Sequence, residues 1–136
     1  MNDKTNLIMK NELEVGISHQ EMRVVRYEDT AANYGSGLVE VFATPAMLSL
    51  MENTALKTVL PYLEEGQNTV GFEVNIKHLK PTPVGKEVRC TAILKEVDGK
   101  KLVFDLEAED DEGKIGKGSH TRYIIDTQKF MEQFSS

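Results

Sequence analysis

The sequence predicts an α+β fold in which an antiparallel sheet wraps round one long central helix. A single stretch, which starts after Thr44 and stops at Pro61, has the length and apolar spacing of a long helix. The four segments after it alternate apolar and polar residues with the period of β-strands. Short turns join these segments, so consecutive strands run antiparallel. Because only one long helix is available, it must lie across one face of the sheet.

The part of the chain before the helix is polar at first and then extended. We expect residues 1–136 to form one domain, with residues 1–14 as a loose N-terminal arm. Residues 20–27 have the composition of a strand. Residues 28–43 contain a run of loop-forming residues and are interpreted as a loop: Asn33, Gly35, Ser36 and Gly37.

The helix has recognisable ends and a broad apolar face. Thr44 is predicted to be its N-cap, with Pro45 at the first helical position, where a missing N–H costs nothing. Pro61 ends it, and residues 64–68 form a turn. The apolar face consists of Met47, Leu48, Met51, Ala55, Leu56 and Val59.

After the helix the apolar period changes from 3.6 to 2. The predicted strands are residues 69–79, 87–97, 101–110 and 114–126, with hairpins at Asp98-Gly99 and at residues 110–113. Residues 127–134 are expected to form a short terminal helix. In the first of these strands one face carries Val70, Phe72, Val74, Ile76 and His78. Strand, loop, long helix and four antiparallel strands are the outline of the hotdog fold.

Composition narrows the possible partners. The 136 residues are 40% hydrophobic and 28% charged, as in ordinary soluble domains. A net charge of −6 argues against nucleic acid as the main partner. No apolar run approaches the ~20 residues of a membrane span, and residues 1–16 lack the apolar core of a signal peptide. We therefore expect a cytoplasmic protein with no membrane association, and Cys90 is interpreted as a core residue.

One carboxylate, Glu52, interrupts the apolar helix. It could be a solvated residue on the helix flank, but its neighbours at helical spacing include Leu48 and Leu56. A charge among apolar neighbours is costly unless it has a partner, and an unpartnered carboxylate there would have a raised pKa suited to acid–base or nucleophilic work. His78 is the expected partner because it is in phase with the strand face that meets the helix. Its alternative role is a neutral core histidine.

Thr44 is a further candidate, although an N-cap role would explain it alone. It lies eight residues before Glu52, which is about 12 Å along a straight helix. The two side chains can share one reactive centre only if the chain turns sharply before the helix, or if a second subunit contributes one of them. The sequence leaves both arrangements open. The helix N-terminus itself favours a developing oxyanion.

Two other positions suggest space for a ligand. Gly71 interrupts a strand of large residues, which indicates either a bulge or close approach of the backbone to a ligand. On the last strand Gly116, Gly118, His120, Arg122 and Ile124 share a face, and the two glycines clear space there for the helix or for a ligand. Arg122 could hold Glu52, hold a substrate phosphate, or form a surface ion pair.

Three segments, VFATPAMLSLMENTAL, PYLEEGQNTVGFEVNIKHLKPTPVGKEV and IGKGSHTRYII, resemble the fluoroacetyl-CoA thioesterase family of hotdog proteins. The resemblance runs from about Glu14 to Phe130. It implies a homodimer with active sites at the subunit interface, no metal and no cofactor. It also implies a catalytic group of Thr44, Glu52 and His78, with Gly71 and Arg122 beside the substrate.

The chain departs from the family pattern near the expected acyl pocket. Pro45 stands where the fluoroacetyl-CoA enzyme has a glycine, and Leu38 stands where an aromatic residue would gate the pocket. The resemblance therefore predicts hydrolysis of an acyl-CoA thioester, with the acyl group, and the choice of Glu52, Thr44 or water as the attacking group, left open. The alternatives are a hotdog enoyl-CoA hydratase, for which no Asp/His pair is found, and a non-catalytic acyl-CoA-binding protein.

Overall fold

The computed structural model describes residues 12–135. Within this range the strands are β1 (Ser18–Val24), β2 (Gln67–His78), β3 (Glu87–Asp98), β4 (Lys101–Asp110) and β5 (Gly113–Asp126). The helices are α1 (Ala31–Tyr34), α2 (Thr44–Val59) and α3 (Thr127–Glu132), with single 3-10 turns at Tyr27–Asp29 and Leu60–Tyr62. Most of the predicted N-terminal arm lies outside the described residues.

The five strands form one antiparallel sheet in the order β1-β3-β4-β5-β2. β2 therefore lies at an edge although it comes second in the chain. Helix α2 crosses the inner face of the sheet and packs mainly against β3 and β1. This arrangement confirms the predicted hotdog fold, and the terminal helix is present as α3.

The buried face of α2 is rotated slightly from the prediction. Leu48 and Leu56 are only half-buried, because they border the flank that carries Glu52. Two threonines take part in the buried face instead, and their hydroxyls donate to carbonyls one turn earlier, Thr54 to Leu50 and Thr58 to Thr54, at 2.7 Å each. The buried residues are Ala46, Met47, Leu50, Met51, Thr54, Ala55, Thr58 and Val59.

A β-bulge in β2 corrects the predicted strand face. The pairing with β5 shifts after Gly71: Gly71 pairs with Arg122, and Glu73, two residues later, pairs with the adjacent Thr121. Alternation is interrupted there, and Val70 does not share the inner face with Val74, Ile76 and His78. The extra residue, Phe72, is 69% exposed. Sequence period alone could not place this shift, since one extra residue reverses the phase of everything before it.

A glycine of β5 makes room for the helix. A Cβ on Gly116 would lie 2.6 Å from the Sδ of Met47, which is fully buried in α2. Of the two occupants expected for the space at this glycine, the helix and a ligand, the helix fills it. Among residues 12–135, no helix has the length and apolar character needed to cross a membrane.

Candidate active site

Helix α2 begins at Thr44, and the side chain of Thr44 bonds a residue of strand β2 instead of the helix. Ala43 holds the N-cap position and no side chain caps the helix, so Pro45 is the second helical residue rather than the first. The Thr44 hydroxyl lies 2.8 Å from Nδ1 of His78, at the end of β2. The predicted N-cap role is therefore replaced by a hydroxyl–imidazole pair.

His78 is half-buried, and its other ring nitrogen is buried without a partner among the described residues. Phe42 packs edge-on against the imidazole, with ring centroids 6.4 Å apart. Burial lowers the pKa of His78, and the backbone of Lys80 opposes that change in part. A neutral imidazole with Nδ1 against a hydroxyl is suited to accept or return the hydroxyl proton.

Backbone contacts fix the position of Thr44. The N–H of Ala43 donates to the carbonyl of Asp29 at 2.8 Å, and that of Phe42 donates to the carbonyl of Thr82 at 2.7 Å. A buried carboxylate holds each of these two accepting residues in place. The carboxylate of Asp29 accepts from the Arg26 backbone N–H, and the carboxylate of Asp110 accepts from the Thr82 hydroxyl. The start of α2 is thus clamped from both sides.

An open cleft of about 390 Å³ surrounds the Thr44–His78 pair. Its walls come from helix α1, from the segment leading into α2 and from the loop after β2, and they include Ala31, Ser36 and Val41. Leu38 lies in the loop that follows α1 and is 97% exposed. A leucine this exposed has no packing role within residues 12–135.

Glu52 lies on the half-buried flank of α2, in a different cleft of about 410 Å³. Gly71 of β2 faces it, and a Cβ on that glycine would lie 2.9 Å from Oε2 of Glu52. The bulge interpretation of Gly71 applies, since it precedes the bulge. The space above it is occupied by the Glu52 carboxylate, and an approach to a ligand stays a prediction. Ser49, Asn53 and Leu56 complete the helix side of this cleft.

Arg122 is 7% exposed and is held by strand β2 rather than by an ion pair at the surface. Its Nε donates to the Thr69 hydroxyl at 2.8 Å, and its Nη2 donates to the Thr69 carbonyl at 3.0 Å. Its Nη1 donates to Nε2 of His120 at 3.1 Å. Burial lowers the pKa of Arg122, while the negative charge of Glu52 opposes this change and so interacts favourably with the guanidinium. The sequence did not assign His120 or Thr69 to a site, although His120 shares the strand face of Arg122.

The candidate residues thus form two groups within one chain, which we call the threonine group (Thr44 and His78) and the glutamate group (Glu52, Gly71 and Arg122). The expected contact between Glu52 and His78 is not made inside one chain, because His78 bonds Thr44 at the start of α2. Glu52 lies two helical turns further along, about 12 Å away at 1.5 Å per residue.

A third depression of about 560 Å³ lies on the outer face of the sheet and shares no lining residue with the two clefts. It is lined by charges of both signs, Lys77 and Lys117 beside Asp105 and Glu107. Residues 12–135 contain no cluster of three or more His, Cys, Asp or Glu side chains able to hold a metal ion.

The wrapped sheet and the single long helix define the class of hotdog-fold proteins, and the similar solved structures in this class include thioesterases. A solved structure of the fluoroacetyl-CoA thioesterase FlK superposes with a TM-score of 0.85 at 32% identity, covering 90% of this chain and 96% of that chain. A Thermus thermophilus hypothetical protein, described as a thioesterase superfamily member, superposes with a TM-score of 0.84 at 30% identity, covering 90% and 91%.

Residues 25–128 match the family described as fluoroacetyl-CoA-specific thioesterase. The fluoroacetyl-CoA thioesterase of Streptantibioticus cattleyicolor is 40% identical over 91 residues, which are 67% of this chain and 66% of that protein. This alignment spans slightly less than two thirds of that relative. The chain belongs to the fluoroacetyl-CoA-specific thioesterase family, as its motifs indicated.

Proposed function

We propose that the chain hydrolyses an acyl-CoA thioester to the free acid and coenzyme A, at a site completed by two copies of the chain. The observation that carries this proposal is the separation of the threonine group from the glutamate group on one helix. Family membership supports the reaction class. Solved FlK structures include a complex with fluoroacetate and CoA and a complex with acetyl-CoA, which supports acyl-CoA as the substrate class.

A homodimer is the arrangement that supplies the missing half of each site. Strand β2 is 12 residues long and lies at the edge of the sheet, so its outer backbone groups are available for pairing. The bulge places Phe72, 69% exposed, on this edge, where it packs edge-on against Tyr123. Two copies related by a two-fold axis would pair their β2 strands and place each threonine group opposite the partner's glutamate group.

The start of α2 provides the electrophilic part of the site. Its first-turn N–H groups lack intrahelical acceptors, and Pro45 has none, so Thr44 and Ala46 are the donors available to an oxyanion. The thioester carbonyl would bind here with its oxygen toward these donors. His78, with Nδ1 against the Thr44 hydroxyl, would relay a proton to the sulfur of the departing coenzyme A.

Glu52 is the anionic part of the site. Its carboxylate either attacks the carbonyl carbon, giving a mixed anhydride that water then opens, or takes a proton from an attacking water. Arg122 keeps a positive charge beside it in both versions. The versions differ in one observable, because mass spectrometry of acid-quenched enzyme would find an acyl adduct on the Glu52 peptide in the first and unmodified enzyme in the second.

Acyl selectivity is assigned to the loop that carries Leu38. Leu38 is almost fully exposed in the single chain, and it lies between Ser36 and Val41, which line the cleft of the threonine group. A smaller or larger residue there should change the preferred acyl group without altering the melting temperature. A series of Leu38→Ala and Leu38→Phe variants assayed on short acyl-CoA esters would test this role.

The decisive experiment is a thiol-release assay on a panel of acyl-CoA esters. Turnover of at least one short or substituted ester supports the proposal, and Thr44→Ala should abolish most of it. If every ester binds and none is hydrolysed, the chain is an acyl-CoA-binding protein instead. The cytoplasmic location stays a prediction, which cell fractionation with immunodetection would check.

A further inference from the structure

His120 is a buried histidine that the proposed chemistry does not use. It is 2% exposed and lies on β5, between Phe104 on one side and the bulge of β2 on the other. Its Nδ1 lies 2.8 Å from the carbonyl oxygen of Glu73, and its Nε2 lies 3.1 Å from Nη1 of Arg122. Both ring nitrogens therefore have partners.

These two partners determine where the proton on the ring lies. A carbonyl oxygen can only accept a hydrogen bond, so Nδ1 must carry a hydrogen. A guanidinium can only donate, so Nε2 must be unprotonated. The geometry therefore requires the neutral ring with its proton on Nδ1. Protonation of Nε2 would break the bond to Arg122 and place two positive charges 3.1 Å apart.

The groups around His120 favour the same state. Arg122 faces it from β5 and Glu52 from α2, the Phe104 ring packs against it from β4, and the Glu73 carbonyl approaches from β2. Burial and the charge of Arg122 lower the pKa of His120, while the Glu73 carbonyl and the charge of Glu52 oppose this change. The ring is therefore set to stay neutral near pH 7.

The position of His120 links it to the glutamate group. A Cβ on Gly71 would lie 2.9 Å from Glu52 Oε2, 3.4 Å from His120 Cε1 and 3.6 Å from Arg122 Nη1, so these three side chains meet at one point above Gly71. The Glu73 carbonyl that accepts from His120 belongs to the residue at which pairing resumes after the bulge. His120 thus ties the guanidinium to the bulge.

We propose that His120 is a positioning residue of the glutamate group, acting as a neutral bridge that accepts from Arg122 and donates to the backbone of the β2 bulge. The proposal rests on the proposed function for its kinetic consequence. Without the bridge, Arg122 keeps its two bonds to Thr69 but loses the bond that holds Nη1 beside Gly71, where Glu52 also lies. A displacement of about 1 Å at a reacting group can cost about 10²-fold in rate.

Two substitutions separate bridging from packing. In His120→Gln the side-chain carbonyl can accept from Arg122, whereas His120→Leu keeps an apolar contact with Phe104 and leaves both polar partners unpaired. We expect kcat of His120→Gln to stay within about 5-fold of wild type, and kcat of His120→Leu to fall roughly 10- to 100-fold with little change in KM. His19→Gln is the matched control, because His19 bonds Glu21 on β1, away from both groups. It should leave kcat unchanged.

Nuclear magnetic resonance provides a readout that does not depend on turnover. Long-range proton–nitrogen correlations of the wild-type histidine rings should show His120 neutral at pH 7, with its hydrogen on Nδ1. The Nη1–H signal of Arg122 should be protected from solvent exchange in wild type and in His120→Gln, and lose protection in His120→Leu. The Nε–H signal, which the Thr69 hydroxyl holds, should stay protected in all three proteins.

A charged ring, or a hydrogen on Nε2, would overturn the proposal even in an active enzyme. So would equal loss of kcat in the glutamine and leucine variants. If wild type hydrolyses no ester while the His120 proton is on Nδ1, the proposed function has failed and the bridge remains.

Discussion

Mixed dimers would test the division of the site between two copies. One subunit carries Thr44→Ala and keeps Glu52, and the other carries Glu52→Gln and keeps Thr44. If each site takes its threonine group from one chain and its glutamate group from the other, the mixed dimer has one site with both substitutions and one wild-type site. If both groups acted within one chain, both sites of the mixed dimer would be damaged.

The size of the effect follows from counting sites. Each homodimer of a single variant should lose about 10²- to 10⁴-fold, the range of a general acid–base contribution. A mixed dimer isolated by two different affinity tags should recover about half of the wild-type activity. An unfractionated one-to-one mixture, in which about half of the dimers are mixed, should recover about one quarter.

The assay is thiol release from the ester that the wild-type enzyme turns over best, at equal total protein. A reciprocal control places both substitutions in one subunit and pairs it with a wild-type subunit. Each of its sites then contains one damaged group, so the isolated mixed dimer should be inactive. Recovery in the reciprocal pair, with none in the first pair, would show that both groups act within one chain and refute the two-copy site.

The remaining predictions concern single positions and pH. Glu52→Gln should lower kcat by about 10²- to 10⁴-fold with an unchanged melting temperature. Adding His78→Ala should lower kcat little further if the two residues act as a unit. Near-wild-type turnover would show that Glu52 is only a solvated residue on the helix flank. Gly71→Ala should leave the protein folded, since the nearest contact of the added methyl group is the end of the flexible Glu52 side chain at 2.9 Å. It should lower kcat about 10-fold or more, because it displaces that carboxylate. A normal kcat would count against the close approach of Glu52 to Gly71. The melting temperature should fall as pH drops below about 6.5. Burial lowers the pKa of His78 and His120, so below this pH the unfolded chain binds more protons than the folded one. If the melting temperature of His120→Gln changes with pH as steeply as that of wild type, the contribution assigned to His120 is refuted.

The sequence predicted the fold well because each element has a local signal. The start of the helix near Thr44, its end near Pro61 and the Asp98-Gly99 hairpin agree with the structure to within about two residues. The strand face of β2 was predicted wrongly because the bulge between Gly71 and Glu73 depends on pairing with β5, which leaves no local trace in the pattern.

The candidate site was predictable as a set of residue types but not as an arrangement. Spacing along α2 showed that Thr44 and Glu52 are too far apart to act together on one helix. It could not show that the Thr44 hydroxyl bonds His78 instead of capping the helix. The environment of Arg122 was not predictable for a related reason. Its bond to Thr69 joins β5 to β2, its bond to His120 lies within β5, and both depend on how the strands pair in the folded protein.

The edge strand β2 carries Gly71 near its middle and His78 at its end. Its length therefore separates the two groups of the site along one strand. In the proposed dimer, the alignment of one β2 against the other sets how far each imidazole lies from the partner's carboxylate. A slip of two residues would move one copy by about 6.6 Å, beyond the reach of a hydrogen bond. Because the bulge interrupts the regular spacing of backbone donors along this edge, slipped alignments would leave some of those groups unpaired. Backbone pairing would then set the distance between the imidazole of one copy and the carboxylate of the other. Substitutions remote from any reacting atom could therefore abolish activity by changing the alignment of the two strands.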